Sequence, residues 1–191
     1  MLPIRTAHHI SILRPNNALL VVVDMQEPFL QNIWERERLV NNVTILLEAA
    51  RLLRLPIVPT QQNTDRIGNS IPEVTKRLPS QSVPFDKLCF SCAGDDAFMS
   101  ELQRSGRKQI ILCGVETHIC ISQTGLDLMA MGYQVHVVAD AVSSRTQSNW
   151  QLGLNRLERA GGILTSTESA VYELLGEAGT PEFREMLALL K

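Results

Sequence analysis

The sequence predicts an α/β protein of three αβα layers, built on a doubly wound, Rossmann-like parallel sheet of six strands. Three observations carry that reading. Helical patterns ending at Gly106, Gly132 and Gly161 are each followed by a strand-like run, at 109–115, 135–139 and 163–165, and Gly after a helix supplies the left-handed C′ position. The strands read as continuous apolar runs rather than alternating ones, the mark of a parallel sheet covered on both faces. Asp24, Lys87 and Cys120 all fall at or just past strand ends, where open parallel sheets bind their ligands.

Taken in order, an arm over 1–17 leads to the first strand at 18–24, which ends in Asp24. Leu39, Val43, Leu46, Leu47, Ala50 and Leu53 then recur at helical spacing. A shorter strand follows at 56–60, with Pro56 taking the place of the usual Gly. The stretch 61–82 carries Gly68, Pro72 and Pro79 and reads as loop around a short helical pattern at 72–78. It leads to a brief strand at 83–86 and then to Lys87. The run 109–115 predicts a buried strand, Glu116, Thr117 and His118 a reversal, and 121–131 a helix whose first turn holds Cys120. Thr180 and Pro181 are good N-cap and N1 residues for a last helix over 180–191. One domain covers 1–191, since a chain of this length and 45% hydrophobic content builds one core.

Composition excludes several functions. A formal net charge of −2 with scattered Lys and Arg makes no basic face for a phosphate backbone, so no nucleic-acid partner is expected. The longest apolar run, 18–23, is far short of the roughly 20 residues that span a bilayer, and the N-terminus shows no signal pattern. The protein is expected to be soluble and cytoplasmic, with no membrane partner. Cys89, Cys92, Cys113 and Cys120 are unevenly spaced and read as reduced thiols. Cys89 and Cys92 form a C-x-x-C without the further ligands of a closed zinc site; a redox role would need a thiol–disulfide couple in that pair.

A thiol at the start of a helix, with an acid and a cation at neighbouring strand ends, has the parts of a cysteine acyl hydrolase. Asp24 would take and return the proton, Lys87 would hold Asp24 ionised, and the 115–120 turn would supply oxyanion donors. The helix terminus and Lys87 predict a thiolate below the free value of about 8.5. Taken singly, each residue has an ordinary reading as well: Asp24 as a helix cap, Lys87 as a solvated loop charge, Cys120 as a small core residue.

Gly114 to Cys120, continuing through Gln123, Thr124 and 126–128 to 132–135 and 140–145, closely resembles the isochorismatase-like cysteine hydrolases. Val22 to Gln26 with Phe29, and Lys87 followed by Phe90 and Ser91, fit the same family in the same order. The resemblance implies a catalytic triad of Asp24, Lys87 and Cys120 on a six-stranded parallel sheet. It also implies a cis peptide between Val115 and Glu116 that aims the Glu116 and Cys120 amides at the substrate oxygen. Vinyl-ether-cleaving isochorismatases lack the nucleophilic Cys, so Cys120 points to the amide-hydrolysing side. Nicotinamidases carry a metal-binding Asp-x-His and a further His after the second strand, where this chain has Thr60 to Arg66 without a His. The stretch looks instead like the metal-free YcaC-like and isochorismatase-domain-containing subgroup, so no metal and no cofactor is expected.

The expected substrate is a small amide-type molecule. Phe29, Trp34 and Phe90 are candidates for an apolar pocket and Gln62 for a polar substrate contact, with core packing or solvent exposure an equal explanation for each. Asp140, Ser143, Ser144 and Arg145 read as a hydrogen-bonded turn, and His118 as structural. Family resemblance favours a homo-oligomer. The alternative to the enzyme is a family member of weak or no turnover that serves as a binding or scaffold protein.

Overall fold

A computed structural model describes residues 9–190; of the predicted N-terminal arm, residues 1–8 lie outside the described residues. Six parallel strands form one sheet in the order β3-β2-β1-β4-β5-β6. They are β1 (Ala18–Val23), β2 (Ile57–Gln62), β3 (Phe85–Lys87), β4 (Gln109–Val115), β5 (Gln134–Ser143) and β6 (Ile163–Thr165). The chain winds outward from β1 on one side and from β4 on the other, so the switch point lies between them.

Each strand serves two cores at once. Along β1, Ala18, Leu20 and Val22 enter one cluster while Leu19, Val21 and Val23 enter the other, as side chains of period two require. The first cluster is closed by Leu39, Val43, Leu46, Leu47 and Ala50 of α2 (Arg36–Leu52). Short α1 (Glu27–Leu30), α3 (Thr64–Ile67) and α4 (Pro72–Thr75) lie in the connections on either side of β2. Phe98 and Leu102 of α5 (Asp96–Ser105), Leu128 of α6 (Ser122–Ala130) and Leu154 and Leu157 of α7 (Gln147–Arg159) close the second cluster. Ala170 and Leu174 of α8 (Thr167–Leu175) return to the first. In α9 (Pro181–Leu189) the Thr180 hydroxyl accepts the Phe183 N–H, the N-cap bond its sequence calls for.

Several boundaries differ from the sequence reading. β1 stops at Val23 because Asp24 has φ +51°, a left-handed conformation that no strand continues. β2 runs on to Gln62, since Gln61 and Gln62 pair with Asp86 and Lys87 of β3. β5 extends to Ser143 through an irregularity: Leu112 pairs with Val137, but Gly114 pairs with Val142. Three extra residues on β5 invert the in–out alternation, so Val137 and Val142 face the same core. Asp140, expected in a turn, sits in this bulged strand; its carbonyl accepts from Asn42 Nδ2 at 2.9 Å and its carboxylate from Thr167 N and Oγ1 at 2.8 and 2.9 Å. Ser143 is also strand rather than turn. α8 had no counterpart in the sequence reading, because its apolar residues follow β6 with no Gly or Pro punctuation between them.

Candidate active site

Three strand ends meet beside the switch point. Asp24 follows β1, Lys87 ends β3, and Cys120 lies just beyond β4. Gly114 allows the meeting: with φ +112°, a Cβ on it would lie 2.1 Å from the Val23 carbonyl oxygen. The Val115–Glu116 peptide is cis. Cys120 is not in the first turn of an α-helix, as the sequence pattern suggested, but in a π-helical turn over Thr117–Ile121 that precedes α6. Such wide turns admit an extra residue and cluster at functional sites. Gly153 of α7 presses on this turn, where a Cβ would lie 2.8 Å from the Thr117 carbonyl.

The Lys87 ammonium is 0% exposed and donates to Asp24 Oδ2 at 2.7 Å and Gln62 Oε1 at 2.6 Å, with the Cys89 carbonyl at 3.2 Å and the Phe90 carbonyl at 3.4 Å. Cys120 Sγ lies 4.0 Å from the same nitrogen. Asp24 Oδ1 accepts from the Thr60 hydroxyl at 2.8 Å. Burial is the largest single effect on the Lys87 pKa and would lower it, yet Asp24, together with Cys92 and Cys120 beside it, outweighs burial and holds the ammonium above its ordinary value.

The thiol corrects the sequence expectation of a thiolate. Burial pushes the Cys120 pKa up to about 12; Lys87 opposes the rise, and the Asp24 charge beside it adds to it. Desolvation outweighs the Lys87 cation, so the resting group is a neutral thiol beside Asp24.

Asp24, Phe29, Gln62, Phe90, Val115, Glu116, Ile119 and Cys120 line a recess of about 60 Å³. Trp34 is not among them: it packs on Trp150 at 4.9 Å between ring centroids, with the Arg38 guanidinium over its face. Gln62 lines the recess but has both amide atoms engaged, Oε1 by Lys87 and Nε2 on the Leu88 carbonyl at 2.9 Å. Glu116 accepts from the Arg145 N–H and Nε, each at 3.1 Å. His118 Nδ1 meets Ser144 Oγ at 3.0 Å, within the framework around the turn.

Sequence reasoning missed the supports of this site. Thr60 holds Asp24, and Gln26, 0% exposed, clamps the end of β2 by accepting the Gln62 N–H at 2.7 Å and donating to the Gln62 carbonyl at 3.0 Å. Cys92, buried behind Lys87, approaches Thr60 Oγ1 at 3.8 Å, and burial pushes its pKa up to about 11. Polar residues at the end of an otherwise apolar strand, such as Thr60 in 57–62, were the available signal. Among the described residues no group of three His, Cys, Asp or Glu side chains is arranged to hold a metal ion.

The isochorismatase domain model matches residues 18–169, a span that contains every strand and all three converging side chains. The chain belongs to the isochorismatase family. A secreted isochorismatase effector, Isc1, of Phytophthora sojae is 39% identical over 93% of this chain and 86% of its own length. Isochorismatase domain-containing protein 2 of Bos taurus is also 39% identical, over 93% of this chain and 84% of its own. Among solved structures, MAR1 ribonuclease from Caenorhabditis elegans superposes with a TM-score of 0.88 at 34% identity, covering 93% of this chain and 91% of that one. YcaC from Pseudomonas aeruginosa, solved with hexane-2,5-diol and covalent acrylamide, has a TM-score of 0.88 at 25% identity, over 96% and 93%. An Escherichia coli YcaC described as an octameric hydrolase of unknown specificity has a TM-score of 0.86 at 24% identity over 96% and 89%, and shares the fold. The chain thus has the fold of the isochorismatase-like hydrolase family, and none of its helices among the described residues is long and apolar enough to cross a membrane.

Proposed function

We propose that this isochorismatase-family protein hydrolyses the C–N bond of a small amide through a thioester on Cys120. The observation that carries the reading is one buried ammonium, Lys87, held 2.7 Å from the Asp24 carboxylate and 4.0 Å from the Cys120 sulfur. In the proposed cycle Asp24 takes the thiol proton as sulfur attacks the carbonyl carbon, so that charge develops on sulfur only as the C–S bond forms. Backbone N–H groups of Glu116 and Cys120 receive the oxyanion. The protonated Asp24 then passes its proton to the substrate nitrogen, the C–N bond breaks, and the amine departs. Asp24, ionised again, takes a proton from water as that water attacks the thioester, and the acid leaves with the Cys120 thiol restored. Lys87 keeps Asp24 anionic between these transfers.

The acrylamide adduct of the Pseudomonas YcaC is what a nucleophilic fold of this kind would leave. The Caenorhabditis neighbour's name, ribonuclease, raises phosphodiester chemistry, but Lys87 has its donors taken up and the other charges of the recess are carboxylates, which suits a neutral substrate better. The second reading is a binding or scaffold protein of weak turnover, favoured by the raised thiol pKa. We also propose that the chain self-associates, as the octameric Escherichia coli protein of the same fold does.

Ammonia release from a panel of small amides tests the reading, with an RNA substrate as the contrast. Cys120→Ala is expected to lower kcat/KM by at least about 10³-fold with an unchanged Tm, whereas Cys92→Ala keeps turnover. Because residues 60–66 lack the histidines a metal site would need, dialysis against a chelator is expected to leave the rate unchanged. A Cys120→Ala protein as fast as the parent sinks the covalent mechanism.

A further inference from the structure

The recess behind the reacting groups has a feature that limits what it can hold. Its polar side chains are already engaged within the protein. Asp24 is bonded through Oδ1 to Thr60 and through Oδ2 to Lys87. Gln62 is engaged at both amide atoms, by Lys87 and Leu88. Glu116 accepts two bonds from Arg145, both at Oε2, and offers a substrate only carboxylate oxygen, which repels an anion. What remains facing the space is Phe29, Phe90, Val115 and Ile119 around the Cys120 thiol. A polar substituent brought against these walls would exchange its water for no partner, a cost on the order of 1–3 kcal/mol per group. A carboxylate would in addition face Asp24 and Glu116.

Size is the second limit. The recess opens past Phe90, and its inner space of about 60 Å³ seats on the order of two to five non-hydrogen atoms, so a six-membered ring with its carboxamide would have to stand partly outside it. Asp24, which has to reach the leaving nitrogen, is only 1% exposed, which favours a nitrogen that carries no bulky substituent.

Building on the hydrolase reading above, we infer that the substrate is a primary amide with a short, uncharged aliphatic acyl chain, of about three carbons at most beyond the carbonyl. Ammonia is the amine released. Ile119, on the nucleophile turn, and Phe90, 57% exposed at the rim, set the length limit. The chemistry balances without a co-reactant other than water: the amide C–N bond breaks, a C–O bond forms, and the products are a short-chain acid and ammonia.

The test compares kcat/KM for propionamide, benzamide and succinamate by ammonia release, and looks for acyl-Cys120 by mass spectrometry of acid-quenched protein. Propionamide is expected to exceed both others by at least about 100-fold, each mismatched group costing roughly one to two decades. Ile119→Ala is expected to raise the benzamide-to-propionamide ratio at least about 10-fold, and Phe90→Ala at the exposed rim does the same if the first variant folds poorly. Benzamide or succinamate turned over as well as propionamide, with acyl-Cys120 formed, overturns this inference and leaves the hydrolase reading standing. No ammonia and no acyl-Cys120 from any of the three overturns both.

Discussion

At the scale of single residues, Cys120, the proposed nucleophile, is kept protonated by burial. Placement after a strand and before a helix suggested a thiolate, but the sequence carries no signal for the depth of burial, and burial is the larger effect. The consequence is measurable. Iodoacetamide labelling of Cys120 is expected to accelerate steadily between about pH 7 and pH 9 with no plateau, and to be slower at neutral pH than labelling of half-buried Cys89. Lys87→Met removes the cation that opposes the rise and is expected to slow Cys120 labelling further. A labelling rate already level at pH 7 would contradict the raised pKa. Asp24, Lys87 and Cys120 were legible because each closes or follows a recognisable strand. Thr60 and Gln26 were not, because their roles depend on which strands become neighbours, and strand order is a property of the assembled sheet rather than of any segment.

Among the elements, two close approaches hold the turn that carries Cys120. Gly114 lets β4 lie against the end of β1, and Gly153 lets α7 lie against Thr117. Replacing Gly114 by Ala sets a Cβ 2.1 Å from a backbone oxygen at a residue with φ +112°, so Gly114→Ala is expected to lower stability by more than about 3 kcal/mol in a urea titration. A loss below about 1 kcal/mol would mean the strands part easily. Helices ending at Gly106, Gly132 and Gly161 and the strands after them were readable from punctuation and apolar runs. The extension of β5 to Ser143 was not, because Asp140 interrupts the apolar run and only the bulge, with Asn42 and Thr167 bonding Asp140, keeps it in the sheet.

Over the whole molecule, one contribution to acid sensitivity lies outside the candidate site. His136 of β5 is 0% exposed, its Nδ1 has no partner among the described residues, and burial pushes its pKa down to about 4. Its Nε2 lies 3.3 Å from Gln134 Oε1, which also accepts from Gln109 Nε2, so the neutral tautomer protonated at Nε2 fits. The unfolded chain binds this proton near pH 6.5 and the folded one only near pH 4. Stability from this residue is therefore complete above pH 6.5 and is lost as pH falls toward 4, by up to about 3 kcal/mol. His136→Leu is expected to flatten the dependence of Tm on pH across that interval; an unchanged slope would assign the acid sensitivity elsewhere.

The sheet's two outermost strands, β3 and β6, are three residues each. An exposed strand border is a template on which a second chain can lay its own backbone, and short borders offer too few N–H and C=O groups to start such growth. Lateral sheet extension and fibre formation are thereby discouraged, and copies of this chain that associate are left to do so through helices and loops, where contact is made by side chains.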